Sequence, residues 1–226
     1  MRDFNIVKKF EPSKSFRAKS VIGQFDISEK NYQESFTGSL DLDFDWQIGV
    51  IVGNSGTGKT TIAKHLFSDE YIQNGLYKEK SVIDDMSKDV SVKEISKMFN
   101  NVGFSSVPSW LKPFNVLSNG EKMRVELANA LLSNKQMVVF DEFTSVVDRD
   151  IARIGSYAVQ RAVRKTDKKF IAVSCHYDIL EWLEPDWVFD TNSMTFQKKS
   201  INDQKSDWMF LRQVQKLGSS LESIII

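Results

Sequence analysis

An α/β fold built on a parallel sheet is what this sequence predicts, and three observations carry that reading. Ile48-Gly49-Val50-Ile51-Val52 is an unbroken apolar run that leads into a glycine-rich stretch and then into the helical pattern of residues 62–67. Gln136-Met137-Val138-Val139-Phe140 is a second apolar run, and it ends on two carboxylates, Asp141 and Glu142. Beyond it, helix and strand patterns alternate to about residue 190. Strands apolar on both faces belong to parallel sheets covered by helices on either side.

Taken in order, residues 2 to about 50 alternate apolar and polar positions in short pieces, among them Asn5-Ile6-Val7-Lys8-Lys9-Phe10, Ser20-Val21-Ile22-Gly23-Gln24-Phe25 and Gly38-Ser39-Leu40-Asp41-Leu42-Asp43-Phe44. This period predicts an arm of antiparallel strands, with no helical stripe before Gly53. Lys80-Ser81-Val82-Ile83-Asp84-Asp85 is a β-branched run ending in two carboxylates. From 91 to 99 the spacing of Val92, Ile95, Met98 and Phe99 is helical, and Ser91 with Glu94 forms a capping-box pattern. The prolines at 108 and 113 predict a loop over 107–114. A second helix is expected from about 119 to 133, then the strand 136–140, a helix over 149–165, strands over 170–175 and 186–190, and a helix over 206–217. The expected organisation is one domain: a β arm and core over 1–80 and 136–200, a mostly helical insertion over 81–135, and a C-terminal helix within 201–226.

At 226 residues the chain is long enough for one substantial core. Its 30 basic and 30 acidic residues balance, so overall charge makes no case for nucleic acid or an anionic membrane. The basic cluster from 161 to 169 reads as the solvated end of a helix, with phosphate contact as the alternative. Cys175 is the single cysteine, which excludes an intrachain disulfide and suits a reducing compartment. With no run long enough to span a bilayer and no leader-like N-terminus, a cytoplasmic protein without membrane insertion is expected.

Chemistry enters with Gly53-Asn54-Ser55-Gly56-Thr57-Gly58-Lys59-Thr60-Thr61. Glycines give the backbone conformations closed to other residues, so that successive N–H groups turn inward on an anion at a helix start. Lys59 is placed to reach the β- and γ-phosphates of a nucleoside triphosphate, Thr60 to ligate Mg²⁺, and Thr61 to support the α-phosphate side. Asp141, at the carboxyl end of a buried strand, is a second Mg²⁺ ligand, and Glu142 the general base for the attacking water. Phe25 is the first candidate to stack on an adenine ring and Tyr32 the second, with strand packing the alternative for both.

Leu117-Ser118-Asn119-Gly120-Glu121 resembles the signature motif of ABC-type ATPases, with Asn119 in place of the first of two glycines. Ser145-Val146-Val147-Asp148 is similar to the D-loop of that family and His176 to its switch histidine, so the resemblance runs from the β arm to about residue 190. The wording of 141–149, 175–179 and 182–190 resembles the stand-alone form of prokaryotic and phage ABC ATPases associated with acetyltransferase domains. The resemblance implies ATP as substrate, hydrolysis with Mg²⁺, and a head-to-tail homodimer. In it, Ser118, Asn119, Gly120 and Glu121 of one copy would cover the nucleotide of the other, and His176 would contact the γ-phosphate. It implies a glutamine in the loop entering the helical insertion; the matching position here is read as Asp84 or Asp85, carboxylates that would ligate the metal. The expected role is a soluble motor acting on a macromolecule, nucleic acid or a partner enzyme, with a transporter's nucleotide-binding subunit as the alternative.

Overall fold

The computed structural model describes residues 1–27, 33–72 and 77–199; Tyr32 and the helix expected over 206–217 lie outside them. It divides into two compact units at Asp43 and Phe44. In the first, β1 (Arg2–Lys9) and β2 (Gln33–Leu40) form an antiparallel pair in which Arg2 faces Leu40 and Lys9 faces Gln33. The strand expected over 20–25 is instead part of a helix, α1 (Phe16–Gln24). Ser15 caps it by accepting from the Ala18 N–H at 3.2 Å. No residue of α1 is buried, so its helical period leaves no apolar stripe to be read from the sequence. The strand expected over 38–44 stops at Leu40.

The second unit is built on a five-stranded sheet, ordered β4-β5-β3-β6-β7: β3 (Ile48–Val52), β4 (Met137–Phe140), β5 (Lys169–Ser174), β6 (Trp187–Asp190) and β7 (Thr195–Lys198). The first four are parallel and β7 is antiparallel to β6. The helices are α2 (Lys59–Leu66), α3 (Val92–Asn101), α4 (Val107–Trp110), α5 (Asn119–Leu132), α6 (Arg149–Val163) and α7 (Ile179–Leu183). Both halves of the expected capping box on α3 are made. The loop expected over 107–114 winds into α4 and a short 3₁₀ turn, Phe114–Val116, because Pro108 is tolerated in a helix's first turn, where its missing N–H has no partner to lose. One continuous core joins the sheet to α3, α5 and α6, through residues such as Val50, Phe99, Leu127, Phe143 and Val159.

Strand β3 sits at the centre, and all five of its residues are buried. Gly49 is required there: a methyl group at its α-carbon would lie 2.1 Å from the ring of Trp187, its partner in register on β6. The start of β3 is fixed by Asp186, whose Oδ2 accepts from the N–H groups of Gln47 at 2.8 Å and Ile48 at 2.9 Å. Arg164 donates to both carboxylate oxygens of Asp186 at 2.8 Å. Burial raises the Asp186 pKa, but Arg164 and the two backbone donors outweigh it, and the net value lies below the ordinary aspartate range. Its contribution to stability is therefore present above about pH 4 and lost as pH falls through the lowered pKa. Asp186→Asn should lower unfolding free energy by about 2 kcal/mol at pH 7, the scale for disrupting a half-buried ion pair. Denaturant titrations should show the gap from wild type closing below about pH 4.

Candidate functional site

Because β3 is wholly buried, the chain leaves it at a fixed place, and residues 53–58 turn there into α2. Gly53, Gly56 and Gly58 all take positive φ, at 156°, 83° and 84°. At Gly53 an added methyl group would also stand 2.1 Å from Thr191 Oγ1. Gly58 is the N-cap of α2 and brings no side-chain hydrogen bond, which leaves the helix start uncapped by the protein. Lys59 is buried and folds back over the loop, donating from Nζ to the Asn54 carbonyl at 2.7 Å. Thr57 Oγ1 donates to the same carbonyl at 2.9 Å and lies 2.5 Å from Thr191 Oγ1. Asn54 and Ser55 are exposed, while Thr60 and Thr61 are half-buried in the first turn of α2.

Asp141 and Glu142 follow β4 immediately, and Glu142 is held at φ 52°. Asp141 Oδ1 accepts from the Glu142 N–H at 2.9 Å, and its Oδ2 accepts from the Tyr71 hydroxyl. Tyr71 is brought there by residues 70–72, which pair with Val139 beside β4. A cavity of about 610 Å³ opens here, bordered by Lys64, Tyr71, Glu126, Phe140, Asp141 and Glu142. Burial lifts the carboxyl of Glu126 above the ordinary glutamate range and pushes the Tyr71 hydroxyl far up, aided by Asp141.

His176 lies just beyond β5, half-buried, with its N–H donated to Ser174 Oγ at 3.1 Å. Burial lowers its pKa most; Arg149 and Lys59 lower it further, against Asp178 and Glu142, which raise it. Its neutral form is therefore favoured at pH 7, and Lys59 and Glu142 both lie within electrostatic reach of it. Arg149 locks the adjacent segments together: it pairs with Asp178 through two nitrogens and stacks 5.1 Å from the Trp182 ring. Asp148 caps α6, accepting from the N–H groups of Asp150 and Ile151 at 3.0 Å.

The remaining expected residues fall elsewhere. Ser118 and Asn119 are exposed at the tip of α5, where Ser118 and Glu121 close a full capping box. Gly120 is buried, and a methyl group there would press on Ile151 Cγ2 of α6 at 3.1 Å, a tight contact. Phe25 is exposed at the C-cap of α1 in the first unit, on a helix end where the sequence suggested a strand. Asp84 is exposed and accepts from the Ser81 hydroxyl; Asp85 Oδ1 accepts from the N–H groups of Lys78 at 2.8 Å and Glu79 at 3.0 Å. Neither borders the cavity at Asp141. The sequence does hold a glutamine, Gln73, directly after the segment that pairs with β4, though position 73 lies outside the described residues. Tyr71 was not singled out from sequence, since its only link to Asp141 is a contact across 70 positions.

The residues present fit a Mg-nucleotide. An ammonium and an uncapped helix start suit phosphate, while the Thr60 hydroxyl and Asp141 carboxylate are oxygen ligands of the kind Mg²⁺ takes. Among the described residues no three histidine, cysteine or carboxylate side chains cluster as a metal cage. Gly53→Ala should weaken nucleotide binding at least about tenfold and lower the melting temperature, because its methyl group meets Thr191. Gly56→Ala, whose methyl group points into open space, should cost only the backbone strain of about 1–2 kcal/mol; nucleotide titration and thermal melts of both variants check this.

Comparison with known proteins agrees with this geometry. Residues 70–145 match the family model described as ABC transporter. The energy-coupling factor transporter ATP-binding protein EcfA1 of Staphylococcus aureus strain USA300 is 28% identical, over 66% of this chain and 68% of its own length. The same protein of strain bovine RF122 / ET3-1 matches with the same figures. These relatives are named as transporter ATP-binding proteins, not as the acetyltransferase-associated form that the wording of 141–149, 175–179 and 182–190 resembles. In fold, the chain is similar to the dimeric, ADP- and phosphate-bound ATP-binding cassette MJ0796, with a TM-score of 0.59 at 12% identity over 87% of this chain and 97% of that one. It is also similar to an ATP-bound bacterial Atm1-family ABC exporter, with a TM-score of 0.52 at 19% identity over 70% of this chain and 33% of that one. Among the described residues no helix is long and apolar enough to cross a membrane. With the glycine loop after β3 and the carboxylate pair after β4, at the same end of one parallel sheet, the chain has the fold of an ATP-binding cassette.

Proposed function

We propose that this chain is the nucleotide-binding subunit of an ABC transporter, cycling between an ATP-bound homodimer and separated copies. The hydrolytic part of the reading, an ATPase that uses Mg²⁺, is supported by the charges of Lys59 and Glu142 both acting on His176. Residues 53–61 would cradle the phosphates, with Lys59 exchanging its Asn54 carbonyl for phosphate oxygens. Thr60 and Asp141 would hold Mg²⁺, which when bound neutralises charge on the β- and γ-phosphates. Glu142 would orient and deprotonate the attacking water, and the neutral His176 would hydrogen-bond the γ-phosphate. The exposed Ser118 tip of α5 suits a second copy's nucleotide, although the Ser118 hydroxyl must first leave its capping partner Glu121. Asp84 and Asp85, each held by local partners, are the weaker candidates for the metal set.

The sequence alone ranks a soluble motor acting on a macromolecule ahead of a transporter subunit. Two observations reverse that order: the family model that matches, and relatives named as transporter ATP-binding proteins. The dimeric state of the ATP-binding cassette MJ0796 supports the homodimer. Copurification of the tagged chain from its host with a membrane-embedded subunit supports the transporter reading; ATPase activity stimulated by DNA or RNA, with no such subunit, supports the other. Glu142→Gln should cut turnover by at least about a hundredfold and hold an ATP-bound dimer. Light scattering coupled to size exclusion should then report twice the monomer mass with ATP; a monomer at saturating ATP would refute the clamp.

A further inference from the structure

We propose that the turn over 190–192 is a positioning device for hydrolysis: Tyr177 and Asn192 tie the His176 segment to the glycine loop, so that histidine and phosphate cradle keep one fixed separation. The inference rests on the role proposed above for His176.

A directional chain of hydrogen bonds carries it. The Asn54 N–H, in the glycine loop, donates to Asn192 Oδ1 at 3.0 Å. Asn192 Nδ2 donates to the Tyr177 oxygen at 2.9 Å, and the Tyr177 hydroxyl donates to Asp190 Oδ2 at 2.8 Å. The turn is closed by the Asn192 N–H, which donates to Asp190 Oδ1 at 2.8 Å. Reversing the Asn192 amide would set donor against donor at Asn54, so a single orientation serves both ends of the chain. Thr191, between the two, donates its N–H to the Val52 carbonyl at 2.8 Å and meets Thr57 of the loop through its hydroxyl. One short turn therefore holds the loop at Asn54 and Thr57, and holds the residue after His176.

Packing alone does not call for these groups. Tyr177 is 5% exposed, and a phenylalanine would fill the same space without a buried hydroxyl to satisfy. Burial and the adjacent Asp190 carboxylate keep that hydroxyl protonated throughout the physiological range, so it remains a donor. Consecutive donors and acceptors polarise one another, which stiffens the link beyond what each bond would provide alone. Tyr177 and Asn192 are positioning residues in this account and act through His176 and Asn54.

The test uses the purified full chain with Tyr177→Phe and Asn192→Ala, each made alone and together with His176→Ala. Asn192 is exposed on the turn, so its variant keeps the test open should the Tyr177 change disturb folding. Each single change should lower kcat about tenfold, the scale of one well-formed buried hydrogen bond. Tyr177→Phe should keep affinity for a fluorescent ATP analogue within about twofold, while Asn192→Ala, which frees the loop amide, should weaken it further. On the His176→Ala background neither change should slow turnover again. A slow His176→Ala enzyme in which Tyr177→Phe still lowers kcat by the same factor overturns this inference alone. So do single variants with wild-type kcat. Full turnover in His176→Ala overturns the histidine's role, and the inference with it.

Discussion

Strand β3 can exist only if its buried backbone groups are all paired, and that constraint orders the rest of the second unit. Water cannot reach it, so β5 supplies partners on one side from Ile48 to Val52, and β6 on the other from Gly49 to Val52. At its first residues no further strand is available, and Asp186 takes over as acceptor with Arg164 balancing its charge. At its last residue the Val52 carbonyl receives Thr191. A strand clamped at both ends delivers residue 53 to one location, and a phosphate cradle needs that definition.

Electrostatics at the site follow from burial as much as from charge. His176 stands between two cations and two carboxylates, and the loss of water tips it to the neutral form. Asp141 is steadied from both sides, by its neighbour's amide and by the Tyr71 hydroxyl. Arg149 gathers the segments after β4 and β5 through Asp178 and Trp182, so the carboxylate pair and the histidine rest on a shared support. Apart from the Glu142 amide on Asp141 and the Asp178 charge beside His176, these contacts are distant in sequence and depend on the sheet order that places β5 between β4 and β3.

That non-locality explains what could be read from the chain in advance. The apolar runs of β3, β4 and β5 and the capping box of α3 follow from neighbouring residues, and their types and approximate limits were legible. Helix α1 was not, because a helix with no buried face carries no apolar stripe. The five-residue α7 and the exposed β7 are too short or too polar to stand out. In the site, Gly53, Lys59, Asp141 and Glu142 announce themselves by spacing and composition. Tyr71, Tyr177 and Asn192 are ordinary residues in sequence, and only the folded chain sets Tyr71 against Asp141, Asn192 against Asn54 and Tyr177 against Asn192. The carboxylates at 84 and 85 show the converse: an acidic pair after a β-branched run looks like a metal site, and in the fold each accepts local hydrogen bonds through one of its oxygens.

The contact between Gly49 and Trp187 makes two positions, 138 residues apart, into one decision. An indole lies where any larger residue at 49 would put its first carbon. Descendants of this gene that gain a side chain at 49 must shrink the aromatic at 187 in the same lineage, and a smaller ring would in turn leave Trp46 and Phe196 without the face they now pack on. Drift through this part of the sheet is therefore confined to coordinated steps, even though neither residue is among those assigned to the candidate site.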